Sequence, residues 1–169
     1  MEYKKITVVD EEDTVIGFFS YDEAVEKDMI RRASVVFLFD EQGDLLVQKR
    51  SVHISKPLQL DKSVGGHVDE GETYLQTAER EMGEELGLHG VLLTEVILSY
   101  RNKTERFFDG VFKATIERST IINFDPHEVD SVYWMNIDEL DSKMKLEPEL
   151  FTSGFVSMWE ELRDKISSA

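Results

Sequence analysis

The sequence predicts an α/β fold in which a mixed sheet is covered by helices on both sides. Strand-like and helix-like segments follow one another along the chain, and no internal repeat or low-complexity tract interrupts them. A length of 169 residues suits one domain that buries roughly 70% of its unfolded surface. We therefore expect a single domain over residues 1–169, with a hairpin and short helix in residues 1–30 and a terminal helix in residues 150–169.

The N-terminal segments have the pattern of a hairpin followed by a helix. Apolar alternation over Lys5–Val9 and Val15–Ser20 predicts two strands around the acidic turn Asp10–Asp13. Ser20 and the glutamate three residues after it form a capping-box pattern, which predicts a short helix to about Met29.

The next segments predict strands separated by loops. Ala33–Phe39 and Leu45–Lys49 are apolar enough for buried strands, and a Gln-Gly-Asp turn separates them. Ser51–Gln59 contains Pro57 and is expected to be a loop. Leu60–Val64 is predicted as a short strand.

A longer helix is predicted over Thr73–Leu86. Its apolar stripe at helical spacing consists of Leu75, Ala78, Met82 and Leu86. Gly87 suits the left-handed residue that ends a helix.

The remaining chain predicts three strands and two helices. The strands are Val91–Tyr100, Phe107–Ile116 and Ser131–Met135. A short helix starts over Ile137–Leu140, and a terminal helix covers Thr152–Ile166. Alternation of this kind completes the α/β pattern.

Composition indicates a cytoplasmic protein with a small-molecule substrate. The chain has no cysteine, which excludes disulfides, thiol nucleophiles and zinc–thiolate sites. A formal net charge of −16 argues against nucleic-acid polymers and anionic membranes as partners. The acidic N-terminus does not resemble a signal peptide, and the longest apolar run is too short to span a bilayer. Both a monomer and a homodimer remain open.

Three glutamates of the longer helix point to a metal ion. Glu81, Glu84 and Glu85 stand at i, i+3 and i+4 and so share one helix face, where each like-charged pair costs roughly 0.2–0.5 kcal/mol. Glu84 and Glu85 also lie in the last turn, where the helix dipole disfavours anions. A hard divalent cation such as Mg²⁺ would remove both penalties, although a solvated acidic helix in an acidic protein is the simpler alternative.

The segment Gly66–Leu88 resembles the Nudix box, the signature of Nudix hydrolases. The specified positions of that pattern are filled by Gly66, Glu72, Arg80, Glu81, Met82, Glu84, Glu85, Gly87 and Leu88. The flanking segments Leu45–Arg50 and Val132–Met135 resemble strands of the same family, so the resemblance extends over roughly Arg32 to Leu140.

The resemblance implies an α/β/α sandwich that hydrolyses a diphosphate bond in a nucleoside diphosphate derivative or similar metabolite, with Mg²⁺ or Mn²⁺ as cofactor. Glu81, Glu84 and Glu85 are implied metal ligands, with the Gly65 carbonyl as a further ligand. Arg80 is implied to orient Glu81 through a charge-assisted hydrogen bond.

Several roles stay open at this point. Glu72 either joins the metal site through water or acts as a favourable anion at the helix start. The general base is Glu128, Glu105 or one of the box glutamates. His67 is either a structural histidine or a ligand, and the aromatic residues of the later strands either stack on a substrate or fill the core.

A narrower resemblance links the chain to isopentenyl diphosphate isomerase, a relative within the same family. Ser63–His67 resembles the isomerase segment that carries an essential cysteine, but Gly65 stands at the cysteine position. The box is intact here, so a hydrolase of an isomerase-like branch is expected. The alternatives are a non-catalytic nucleotide-sensing module and an isomerase. A further departure is Pro57-Leu58, where family members often have Pro-Gly.

Overall fold

The computed structural model describes residues 4–168. Its strands are β1 (Lys5–Val9), β2 (Val15–Ser20), β3 (Ile30–Phe39), β4 (Leu45–Arg50), β5 (Leu60–Asp61), β6 (Val64–His67), β7 (Thr94–Arg101), β8 (Phe107–Thr115) and β9 (Val129–Met135). Its helices are α1 (Tyr21–Glu26), α2 (Tyr74–Leu86), α3 (Ile137–Leu146) and α4 (Ser153–Ser167), with a 3₁₀ turn at Pro148–Leu150. Within residues 4–168, no helix is both long and apolar enough to cross a bilayer.

Strand β3 is the centre of a mixed sheet. It pairs in parallel with β8 from Arg31↔Phe107 to Phe39↔Thr115, and antiparallel with β1, β4 and β6 on its other edge. Strands β9 and β5 extend the sheet from β4, and β7 extends it from β8. The long parallel pairing confirms the mixed sheet that the sequence predicts.

The two faces of β3 bury different helices because successive side chains point to opposite sides. Val35, Phe37 and Phe39 belong to the core that contains residues of α3 and α4. Val36 and Leu38 belong to the core that contains residues of α2. Helices therefore cover both faces, and the α/β/α sandwich is confirmed.

Local signals in the sequence account for the helix ends near the cavity. Thr73 caps α2 and forms a capping box with Gln76, and Gly87 ends that helix with φ 67° in the left-handed region. Thr152 caps α4 by accepting a hydrogen bond from the Phe155 backbone.

Some predicted boundaries were wrong. The single strand predicted at Leu60–Val64 is two strands, β5 and β6, which pair with different neighbours. Helix α1 ends at Glu26 rather than Met29. Helix α3, which was predicted to start over Ile137–Leu140, does start there and runs to Leu146. Leu75 is exposed, because the buried face of α2 is completed by Thr77 instead.

Candidate active site

A cavity of about 830 Å³ is lined by residues of α2, β3, β6 and β8, the start of α4 and the adjoining loops. Most of the residues that the sequence singles out line it: Gly65, His67, Glu81, Glu84, Glu85, Glu105, Phe107 and Glu128. Arg80 and Glu72 lie behind this wall and contact it through hydrogen bonds. Three separate parts of the chain, namely α2, the end of β6 and the loop before β9, therefore supply carboxylates or backbone to one space.

Arg80 holds two of the box glutamates in place. Its Nη1 donates to Glu81 Oε1 at 2.7 Å and to Glu84 Oε2 at 2.9 Å. Its Nη2 donates to the carbonyl of His67 at 3.1 Å and also lies 3.2 Å from an Asp69 carboxylate oxygen. A planar guanidinium has enough donors in fixed directions to make all these contacts at once.

The carboxylate of Glu72 is engaged by protein groups on both oxygens. Arg80 Nε donates to Oε1 at 2.8 Å and Arg80 Nη2 to Oε2 at 3.0 Å, while Thr77 donates to Oε2 at 2.7 Å. The hydrogen bonds from Arg80 lower the pKa of Glu72 to about 2. In this arrangement Glu72 fixes the guanidinium from the side away from Glu81.

Glu85 is the most deeply buried of the three box glutamates that line the cavity. Its donors are the side-chain amide of Gln48 at 3.1 Å and the backbone N–H of Gly65 at 3.4 Å. Among residues 4–168 no lysine, arginine or histidine forms an ion pair with it. Burial raises the pKa of Glu85 well above its usual value, and the charges of Glu81 and Glu128 raise it further.

The pKa of Glu81 is also raised, but less than that of Glu85. Burial raises the pKa of its carboxyl group even though Arg80 is close, and the charges of Glu84 and Glu128 act in the same direction as burial. Glu128 thus lies near enough to both buried glutamates to act on their ionisation.

Ser51 fixes the backbone around Glu128. The Ser51 N–H donates to the carbonyl of Glu128 at 3.0 Å, and the Ser51 hydroxyl donates to the carbonyl of His127. The imidazole of His127 also stacks on that of His53, with ring centroids 5.2 Å apart. The predicted loop over Ser51–Gln59 and the loop before β9 are therefore joined.

Glu105, the other sequence candidate for the general base, occupies a different part of the wall. Its carboxylate forms an ion pair with Lys56, and its oxygens lie against Gly154 at the start of α4. An added Cβ at Gly154 would lie 2.6 Å from Glu105 Oε2, so a side chain at this position would displace the Glu105 carboxylate.

A buried charge cluster beside the glycine pair was not found by sequence reasoning. Asp61 accepts hydrogen bonds from Arg50 at 3.0 Å and Thr152 at 2.9 Å, and Lys62 lies 3.4 Å from it. Asp109 on β8 is also buried, and burial raises its pKa to about 7. The only signal for this cluster is Asp-Lys at the edge of an apolar strand, which does not reveal burial.

The loop that departs from the Pro-Gly pattern keeps a glycine-like backbone. Leu58 has φ 61°, and Lys56 on the other side of Pro57 has φ 54°. The left-handed region costs an L residue with a Cβ roughly 1–2 kcal/mol.

Over the part of the chain that is described, no three histidine, aspartate or glutamate side chains form a preassembled metal cage. Glu81 and Glu84 are both paired with Arg80 in this structure. Oxygen donors that fit a hard cation nevertheless line one cavity, and Mg²⁺ commonly completes its coordination with water and substrate phosphates.

Known proteins resemble this chain over most of its length. Residues 29–153 match the NUDIX domain family. An isopentenyl-diphosphate Delta-isomerase of Photorhabdus laumondii is 31% identical over 89% of this chain and 87% of its own length. A prenyl-diphosphate phosphatase of Methanosarcina mazei is 29% identical over 92% and 95%, respectively.

A solved structure supports the same assignment. The crystal structure of a protein from Deinococcus radiodurans superposes with a TM-score of 0.74 at 26% identity, covering 85% of this chain and 90% of that one. The fold, the intact box and the extent of the family match agree with one another. The chain therefore belongs to the NUDIX domain family and is a Nudix hydrolase, an enzyme of the pyrophosphohydrolase class.

Proposed function

We propose that this protein hydrolyses the diphosphate bond of a small metabolite in a reaction that requires Mg²⁺ or Mn²⁺. The observation that carries the proposal is Glu85, a buried carboxylate with two neutral hydrogen-bond donors and no cationic partner among residues 4–168. A buried carboxylate in that state is costly, and a divalent cation would offset the cost.

The oxygen donors of the cavity fit such an ion. Glu81, Glu84 and Glu85 would hold it together with the Gly65 carbonyl, and Glu72 would contribute indirectly by fixing Arg80. When bound, a divalent ion neutralises charge on the phosphates and lowers the pKa of water.

The remaining chemistry falls to the chain's own residues. In the proposed step, a carboxylate oxygen of Glu128 (Oε) accepts a proton from the attacking water. The water oxygen forms a bond to phosphorus while the bond from phosphorus to the bridging oxygen breaks, and that oxygen leaves with the other phosphoryl group. Arg80 keeps Glu81 in a single orientation throughout, through the 2.7 Å hydrogen bond.

The isomerase reading is disfavoured despite the isomerase relative at 31% identity. Gly65 has no side chain at the position where the resemblance calls for a thiol, and the chain contains no cysteine. We expect that purified protein forms no dimethylallyl diphosphate from isopentenyl diphosphate. Its detection would overturn this part of the proposal.

We also propose a cytoplasmic location and a small-molecule diphosphate as the partner, with monomer and homodimer both open. The net charge of −16 supports the small-molecule partner, since it opposes binding to nucleic-acid polymers and anionic lipid surfaces.

The test is phosphate or monophosphate release from a panel of diphosphates, measured with Mg²⁺, with Mn²⁺ and with excess chelator. We expect turnover only with a divalent ion, and a rise in melting temperature on adding Mg²⁺ to chelated protein. The Glu85→Gln variant should lose most of that rise. Turnover that persists in chelator would refute metal dependence, and ligand binding without any turnover would favour the nucleotide-sensing alternative.

A further inference from the structure

Most of the cationic side chains that line the cavity of the candidate active site are already engaged by the protein. These side chains are Lys4, Arg31, Arg50, Lys56, Lys62 and Arg106. Four of them contact carboxylates or carbonyls closely, namely Lys4 with Asp69, Arg50 with Asp61, Lys56 with Glu105 and Arg106 with Asp28. Arg31 packs against the Phe107 ring, with its guanidinium carbon 4.4 Å from the ring centroid. Lys62 is the remaining cation.

The ammonium group of Lys62 is only weakly engaged. Its Nζ lies 3.4 Å from Asp61 Oδ1, and this is its only ion pair among residues 4–168. Asp61 in turn accepts shorter hydrogen bonds from Arg50 at 3.0 Å and Thr152 at 2.9 Å. An ammonium group has three donors, so Lys62 can bind a further acceptor without losing a short bond. Its side chain lines the cavity and is 15% exposed, so a ligand can supply that acceptor.

The Lys62 side chain lies against the backbone of the proposed metal site. Lys62 is in the turn between β5 and β6, three residues before Gly65. A Cβ added at Gly65 would lie 2.9 Å from Lys62 Cε and 3.8 Å from Lys62 Nζ. The Gly65 N–H donates to Glu85, and the Gly65 carbonyl is a proposed ligand of the ion. The ammonium group is therefore close to the place where the phosphates would meet that ion.

The carboxylates around Lys62 keep it charged. Burial alone would lower the pKa of Lys62, but the charges of Asp61, Asp109 and Glu105 outweigh burial and raise that pKa above its usual value. More carboxylates than cations line the whole cavity. An entering diphosphate therefore meets excess negative charge, and a cation with unused donors offsets part of it.

We propose that Lys62 is a catalytic residue of this hydrolase, and that its ammonium group donates a hydrogen bond to a non-bridging phosphoryl oxygen of the substrate. Charge-assisted hydrogen bonds of this kind are stronger than neutral ones, and they gain when negative charge develops on the acceptor as the bond to the bridging oxygen breaks. The inference rests on the proposed function, because it places the diphosphate at Gly65 and Glu85.

Two affinities measured by isothermal titration calorimetry test the contact. The first is that of Mg²⁺ for the protein alone, and the second is that of methylenediphosphonate, a diphosphate analogue that is not hydrolysed, for protein saturated with Mg²⁺. Lys62→Met keeps the length of the side chain but removes its charge. We expect the affinity for methylenediphosphonate to fall roughly 10–100-fold, together with kcat/KM for the best substrate of wild type.

The affinity for Mg²⁺ distinguishes this contact from a structural role. Loss of a cation beside the metal site removes repulsion, so the Lys62→Met variant should bind Mg²⁺ at least as tightly as wild type. A lysine that only supported the backbone at Gly65 would instead lower the affinities for Mg²⁺ and for methylenediphosphonate together.

Lys49→Met is the matched control. Lys49 forms an ion pair of similar length, 3.5 Å to Asp130, but it does not line the cavity. Both affinities should equal those of wild type. If Lys62→Met does not fold, the double variant Lys62→Met/Asp109→Asn removes one cation and one neighbouring carboxylate, and it is compared with Asp109→Asn alone. The same fall in affinity for methylenediphosphonate is expected.

Three outcomes overturn the inference: wild type that does not bind methylenediphosphonate, Lys62→Met with unchanged affinity for it, or Lys62→Met that also loses affinity for Mg²⁺. Hydrolysis by wild type with unchanged kinetics in Lys62→Met keeps the proposed function and overturns the inference alone. If wild type hydrolyses no diphosphate but binds methylenediphosphonate through Lys62, the proposed function fails and the contact is supported.

Discussion

The carboxylate of Glu81 lies directly against the backbone of Gly66. A Cβ added at Gly66 would lie 2.0 Å from both Cδ and Oε1 of Glu81, so no side chain fits at this position while the carboxylate stays in place. Gly66 has an ordinary strand backbone and pairs with Ser34 of β3. Its absent side chain, rather than its conformational freedom, is what the site requires.

Gly66→Ala should therefore abolish most of the activity without unfolding the protein. The methyl group would displace the end of a flexible side chain, which costs little stability but moves Glu81 out of position. A displacement of about 1 Å at such a group lowers turnover roughly 10²-fold. The prediction is checked by kcat together with the melting temperature.

Gly17→Ala provides the control for that experiment. Gly17 lies in β2, away from the cavity, and its added Cβ would also press on a side-chain end, Phe19 Cε2 at 2.8 Å. Full activity in Gly17→Ala and a large loss in Gly66→Ala would support the steric account. Normal activity in Gly66→Ala would show that the position of Glu81 does not limit turnover.

Arg80→Lys should lose function although it keeps the positive charge. Arg80 donates to Glu81, Glu84, Glu72 and the His67 carbonyl at once, and a lysine ammonium cannot reach all four in fixed directions. Disrupting groups that orient metal ligands typically lowers activity or metal affinity roughly 10–100-fold. Steady-state kinetics and Mg²⁺ titration measure both quantities. Near-normal activity and metal affinity in Arg80→Lys would show that Arg80 acts only as a counter-charge.

Most of the fold follows from signals that act over short distances in the chain. The capping box at Thr73, the left-handed Gly87 and the cap at Thr152 each fix a helix end through neighbouring residues. The division of the predicted Leu60–Val64 strand into β5 and β6 depends instead on pairing with β4 and β3, which local pattern does not encode.

In the candidate site, too, some features follow from the local sequence and others depend on contacts between distant residues. The shared face of Glu81, Glu84 and Glu85 follows from helical spacing alone. The roles of Ser51 and Gln48, which hold the Glu128 loop and Glu85, depend on contacts between residues far apart in sequence.

The buried carboxyl of Asp109 predicts a pH dependence of stability. Burial raises its pKa from a usual 3.8 to about 7. The charge of Glu105 also raises this pKa, whereas the charge of Lys62 and the side chain of Asn102 lower it. The folded state then binds a proton that the unfolded state releases, so its contribution to stability falls as pH rises from about 4 to about 7.

Asp109→Asn should flatten this part of the pH profile. The amide does not titrate, so between pH 5 and pH 8 the variant should gain roughly 3 kcal/mol of stability relative to wild type. Chemical denaturation at pH 5 and pH 8 measures the difference, and the exposed Glu95→Gln variant serves as a control with the wild-type profile. An unchanged slope in Asp109→Asn would mean that Asp109 is ionised across this range.

The last prediction separates proton transfer from metal binding. Glu81→Gln and Glu85→Gln should weaken binding of Mg²⁺, because a neutral amide is a poor ligand for a hard cation. Glu128→Gln should leave that affinity nearly unchanged but lower turnover roughly 10²–10⁴-fold, and it should remove the acidic limb of the pH–rate profile. Glu128 suits this role because it lines the same cavity as the buried glutamates while Ser51 fixes its backbone.

Glu105→Gln is the control for this prediction. Glu105 lines the same cavity, but it forms an ion pair with Lys56 and lies against the start of α4. If Glu128 is the base, Glu105→Gln keeps the acidic limb of the profile and Glu128→Gln loses it. The reverse result would move the role to Glu105. Loss of metal affinity in Glu128→Gln as severe as in Glu81→Gln would instead make Glu128 a ligand, because a general base acts on the attacking water and leaves the ion's own donors intact.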